Sequence, residues 1–80
     1  MLDEVYSATD LGRAIKRLRN EHGMTQETLA QWCGVSRQTV VAMEQGGPVA
    51  LTAALKAITL LGAKVVVAPK NAIVGGVSLR

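Results

Sequence analysis

The 80-residue chain has one cysteine and one histidine. A lone Cys33 excludes a disulfide-stapled secreted scaffold and any zinc site built on several thiolates. A single free thiol fits a reducing compartment, so the chain is expected to be cytoplasmic. With His22 the only histidine, a metal site has little support, and no nucleophile arrangement goes beyond isolated His22 and Cys33. Long hydrophobic runs are also missing. The longest apolar region, 51–68, is broken by Lys56 and Lys64, and a bilayer span needs ~20 nearly uninterrupted apolar residues. Asp3 and Glu4 near the start, with no apolar run behind them, do not read as a signal peptide. The acidic residues are scattered, with no acid–base pair. Gly46-Gly47 lacks the lysine and the strand–helix context of a phosphate loop. These absences argue against an enzyme and against any cofactor.

What is present fits one small domain. Apolar residues make up 49% and charged residues 19%, too apolar for a disordered chain. A chain of this size buries only about 60–65% of the surface its unfolded form exposes, so oligomerisation is a natural remedy. Nine Lys+Arg against six Asp+Glu give a net charge of +3. That alone is ordinary solubility charge, but Arg13, Lys16, Arg17 and Arg19 crowd one short segment and suit an anionic partner.

The pattern predicts four helices. The first starts after Ser7, with Asp10 three residues on as an imperfect capping box. Leu11, Ala14, Ile15 and Leu18 form its apolar stripe, and Gly23 ends it. The second is capped by Thr25, carries Leu29, Ala30 and Cys33 inward, and stops at Gly34. The third is capped by Ser36 and runs through Val40 and Met43 to Gln45, before the Gly46-Gly47-Pro48 break. The fourth covers about 50–61, with Leu51, Ala54, Leu55, Ile58 and Leu61 as its buried stripe. Lys64, Val65, Val66, Val67 and Ala68 then read as a β-strand closed by Pro69. A lone strand leaves its backbone unpaired. The expectation is an antiparallel pair with a second copy across a two-fold axis, the alternative being an extended surface tail. The organisation is an N-terminal extension over 1–8, a domain over 9–62, a dimerisation strand over 63–69 and a tail over 70–80. That tail is either flexible or a second weak strand over 72–77.

The most informative stretch is QETLAQWCGVSRQTVVAMEQG, 26–46: two short helices separated by Cys33-Gly34-Val35. Ala30 sits where the two helices must approach closely. Gly34 supplies the turn conformation that β-carbons disfavour. Leu29, Val35, Val40 and Met43 give a shared core. Met24-Thr25-Gln26, Leu29-Ala30, Gly34-Val35-Ser36, Thr39-Val40 and Glu44-Gln45-Gly46 resemble the Cro-type helix-turn-helix domain of phage repressors and bacterial regulators over about 11–67. Tyr6-Ser7, Leu11, the Leu61-Gly62-Ala63 helix end and the following strand look like the HipB-type antitoxins and small regulators grouped with them.

The resemblance implies an all-α, lambda-repressor-like bundle of four to five helices, with a short C-terminal strand paired across a homodimer. It further implies a repressor that binds double-stranded palindromic operators, and a HipA-like kinase toxin as partner. The alternatives are a free-standing regulator, or an interaction module that no longer binds DNA. Recognition helices enter the major groove by their N-terminal end, which puts Ser36, Arg37, Gln38, Val41 and Ala42 at the bases. Arg37 suits guanine, Gln38 suits adenine, and Ala42 and Val41 offer apolar contact. Ser36 and Thr39 hydroxyls suit phosphate. By resemblance, Gln26 meets phosphate and buttresses the recognition helix. Also by resemblance, Arg19 pairs with Glu44 as a structural salt bridge, the alternative being direct phosphate contact by Arg19. Lys16 and Arg17 are further phosphate candidates. Trp32, at a position usually outward and polar in this fold, either folds over a nearby apolar patch or anchors a partner.

Overall fold

Ser7, Thr25 and Ser36 each sit in extended backbone and turn a hydroxyl onto the first turn of a helix. They start α1 (Ala8–Glu21), α2 (Gln26–Cys33) and α3 (Arg37–Glu44). Their Oγ atoms accept from the backbone N–H of Asp10, Thr28 and Thr39, each at 3.1 Å, which satisfies donors the helix cannot. The reciprocal arm of the α1 capping box is displaced by one residue: Asp10 Oδ2 accepts from the Tyr6 N–H at 3.0 Å. α4 (Leu51–Leu60) follows Ala50, which has no side-chain acceptor to offer. The computed structural model describes residues 2–71 and the short pieces Ile73–Val74 and Val77–Ser78.

All four helices end alike. An N–H just past the end reaches back five residues: Met24 to Arg19 O, Val35 to Ala30 O, Gly47 to Ala42 O and Ala63 to Ile58 O, at 2.8–3.1 Å. This Schellman closure needs a left-handed residue, supplied between α2 and α3 by Gly34 at φ +70°. His22 Nδ1 adds a contact to Leu18 O at 2.9 Å, engaging one of the last carbonyls of α1.

α2 packs on α3 and α4, and α1 packs chiefly on α3. The core is Ile15, Leu29, Ala30, Cys33, Val40, Met43, Ala54, Ala57, Ile58 and Leu61. The inward face of α4 differs from the expected stripe. Ala54, Ile58 and Leu61 are buried as expected, with Ala57 beside them, but Leu51 is 66% and Leu55 40% exposed. The leucine stripe is wider than the strip of α4 that three short helices can cover, so its outer edge stays in solvent.

The expected strand also differs. Residues 63–69 carry no regular structure, and Val65, Val66 and Val67 are exposed. Among the described residues no backbone bond holds 64–69 to the rest of the chain. The ladder that does form lies further on, where Ile73–Val74 pairs antiparallel with Val77–Ser78. The sequence reading expects one weak strand over 72–77; the described pieces are instead two short paired strands, and Ala72, Gly75 and Gly76 lie outside the described residues.

Leu29 is fully buried between α3 and α4. Leu29→Ala is expected to lower stability by about 2–5 kcal/mol in urea unfolding. A loss under 1 kcal/mol would contradict the core described.

Candidate nucleic-acid interface

The Gly34 turn delivers the chain through Val35 into Ser36, and Val35 packs back on the core. α3 is thereby fixed at its start by a buried hydrophobe and a hydroxyl cap. Ser36 Oγ and Thr39 Oγ1 lie 3.0 Å apart and share a hydrogen bond, so both hydroxyls serve the cap. Arg37 and Gln38 are exposed in the first turn, and among the described residues neither makes a hydrogen bond or ion pair. Thr39, Val41 and Ala42 are half-buried, not fully exposed as the sequence suggests for the last two. Ala42, Gln38 and Thr39 line one side of a shallow groove whose other side is Pro48, Val49 and Ala53. Val41 and Ala42 therefore present only part of an apolar surface.

The far end of α3 is clamped. Glu44 is buried, and its carboxylate accepts three hydrogen bonds. Arg19 Nε donates to Oε2 at 2.6 Å, and a second Arg19 nitrogen, Nη2, to Oε1 at 3.1 Å. Gln26 Nε2 donates to Oε1 at 3.0 Å. The third Arg19 nitrogen, Nη1, donates to Met24 O at 2.8 Å, fixing the loop between α1 and α2. Arg19 is itself buried and its three nitrogens are engaged within the chain, which favours the structural salt bridge over direct phosphate contact. Gln26 directs one amide hydrogen at Glu44 and so buttresses α3 while sitting at the start of α2. Met24 enters the sequence reading only as part of the Met24-Thr25-Gln26 motif, with no role of its own. Its role is carried by a backbone carbonyl, which residue type does not encode.

The basic face of α1 is less free than its composition suggests. Arg17 is paired with Asp3 and, at 2.5 Å, with Glu21. Those hydrogen bonds hold its pKa above the usual arginine value. Arg17 is therefore a poor candidate for phosphate. Arg13 has a looser contact with Asp10 at 3.7 Å, and Lys16 is exposed with no ion pair among the described residues. Cys33 is buried, and desolvation pushes its thiol pKa up, with nearby Lys56 opposing, so it behaves as a small hydrophobe. Trp32 is 51% exposed on α2, which leaves half its surface in solvent. No group of three or more potential metal ligands occurs among the described residues. Nor is any described helix long and apolar enough to cross a membrane.

The clamp makes a stability prediction. Removing one partner of a buried pair strands the other, at about 3–5 kcal/mol. Glu44→Ala should lose stability in that range by denaturant unfolding. Arg19→Met combined with Glu44→Leu should lose far less, because no charge is left buried. Equal losses in the single and double variants would contradict the clamp.

The helix-turn-helix domain family matches residues 10–68. An uncharacterized HTH-type transcriptional regulator of Methanothermobacter thermautotrophicus is 53% identical over 32 residues, 40% of this chain and 46% of that protein. The match thus spans under half of that relative's length. Among solved structures, the HipA-HipB-O2-O3 complex contains a chain 28% identical at TM-score 0.75, covering 85% of this chain and 97% of that one. The restriction-modification controller protein C.AhdI from Aeromonas hydrophila is 34% identical at TM-score 0.65, covering 71% and 88%.

Proposed function

Because the chain belongs to the helix-turn-helix domain family of DNA-binding transcriptional regulators, we propose that it is a sequence-specific repressor. In this reading a homodimer binds palindromic operators with the N-terminal turn of α3 in the major groove. The carrying observation is how the polar groups are used. Arg19, Gln26 and Glu44 are engaged with one another at one end of α3. Arg37 and Gln38 stand exposed at the other end. Arg37 pairs with guanine O6 and N7, Gln38 with adenine, and Ala42 and Val41 contact thymine methyl groups. Ser36, Thr39 and the amide hydrogen of Gln26 not used on Glu44 face phosphates.

The dimer forms through residues 64–68. Their backbone has no partner among the described residues, and Val67 is 94% exposed. Pairing two such segments antiparallel supplies the missing hydrogen bonds and covers the valines. Exposed Leu51 and Leu55 add apolar area to the same association. The two recognition helices then lie about one helical turn, ~34 Å, apart on the duplex.

The likeness to HipB, solved in a complex with HipA, supports an antitoxin whose partner is a HipA-like kinase, with exposed Trp32 as a candidate anchor. The likeness to C.AhdI supports the second reading, a regulator with no toxin. A kinase-like reading frame beside this one, whose product co-purifies with the chain, decides for the first.

Arg37→Ala is expected to abolish a specific gel shift on the DNA upstream of the reading frame, a loss of about 1–3 kcal/mol in discrimination. Its melting temperature should stay within a few degrees of the wild type. A large fall in melting temperature, or an unchanged shift, would count against Arg37 as a base contact. Val66→Pro removes a ladder donor and should give a monomer by light scattering and weaken operator binding. An unchanged dimer mass would refute strand pairing.

A further inference from the structure

We propose that Gly12, in the middle of α1, is a positioning residue that sets the tilt of α3 and thereby its readout of bases. This rests on the reading of α3 as the recognition helix. Glycine inside a helix is unfavourable relative to alanine, and Gly12 has ordinary helical backbone, so conformation does not require it. Space does. A Cβ at Gly12 would stand 2.6 Å from Glu44 O and 2.8 Å from Glu44 C, and closer still to Met43 O. All three atoms are backbone of the last turn of α3. Met43 O already accepts from the Gly46 N–H at 3.2 Å, and the Gly12 α-hydrogen in the Cβ direction faces these carbonyls as a weak C–H···O donor.

The opposite face of the seam is built the same way. Gly46, at φ +78°, would place a Cβ 2.7 Å from Thr9 Cα and 2.8 Å from Thr9 N. Thr9 and Gly12 are three residues apart and share one face of α1. Two glycines, one from each side, thus bring the backbone of α1 against the end of α3, with Thr9 Oγ1, also 2.7 Å from the Gly46 Cβ position, sharing the seam.

Glu44 is therefore held twice by α1: by its carbonyl at Gly12 and by its carboxylate at Arg19. These anchors are seven residues apart, about 10 Å along the helix. Two anchors at that spacing fix an angle, where one would fix only a distance. Arg37 lies at the other end of α3, so a change of tilt at Glu44 is carried to the base-reading turn. Restoring an ordinary 3.4 Å contact requires a shift of roughly 0.8 Å at Glu44 O, where the Cβ would stand 2.6 Å away, and more at Met43 O. Bidentate base contacts, with their narrow distance and angle range, do not absorb that.

The test compares Gly12→Ala with the wild type on a duplex from upstream of the reading frame and on a scrambled duplex, at one salt concentration and well below melting. Ile58→Val, a core change on α4 away from the seam, controls for lost stability. The ratio of specific to non-specific affinity should fall on the order of tenfold in Gly12→Ala. Non-specific affinity and salt slope should hold, and Ile58→Val should keep the wild-type ratio. If Gly12→Ala does not fold, Gly46→Asn, which tolerates the left-handed backbone and loads the same seam from the other side, takes its place with the same expectation. An unchanged ratio, or an equal loss in Ile58→Val, overturns the positioning role while leaving DNA binding intact. A wild type that cannot tell the two duplexes apart overturns the recognition-helix reading itself.

Discussion

A buried carboxylate must be compensated or it unfolds its surroundings, and that of Glu44 is compensated by three hydrogen bonds from two other helices. This junction ties α1, α2 and α3 together at a single point. Such pairs often add little net stability over a hydrophobic replacement. What this one supplies is direction. The fork of Arg19 accepts one placement of the carboxylate, and Gln26 and the Met24 carbonyl hold that fork in place. The small apolar core then has only to fill the space between helices already set at their angles.

The polar side chains divide accordingly. Those at the end of α3 face inward and are satisfied within the chain; those at its beginning face outward. A helix of eight residues is rigid enough to carry position from one end to the other. Salt bridges elsewhere act differently. Asp3 and Glu21 neutralise Arg17, so the basic segment of α1 presents less free charge than its composition implies. The apolar surface left over, at Val65 to Val67 and on the outer edge of α4, is what a chain too small to enclose all its hydrophobes leaves uncovered; in the proposed reading a second copy covers it.

Much of this was legible in the sequence because it depends on local chemistry. Ser7, Thr25 and Ser36 announce caps by residue type, and Gly34 announces the turn. The Arg19–Glu44 pair came through resemblance, since a contact across 25 residues leaves no local trace. Leu51 and Leu55 were misplaced because periodicity gives the direction of an apolar stripe and not the width of the neighbour that covers it. The valine run reads as strand by propensity, yet a strand is a property of two segments, and the described residues of one chain offer 64–68 no partner. Gly12 escaped notice because a glycine in a helical pattern looks like a weakness until the opposing backbone is seen.

The central claim is that one end of α3 is locked within the protein while the other reads DNA. It is tested most directly by titrating 15N-labelled protein with a duplex from upstream of the reading frame, following backbone and arginine side-chain resonances together. The account predicts shifts concentrated in residues 36–42 and at the start of α2, with the Arg19 Nε–H signal unmoved. Shifts centred on the α1 face around Lys16, or a displaced Arg19 signal with residues 36–42 undisturbed, would contradict it.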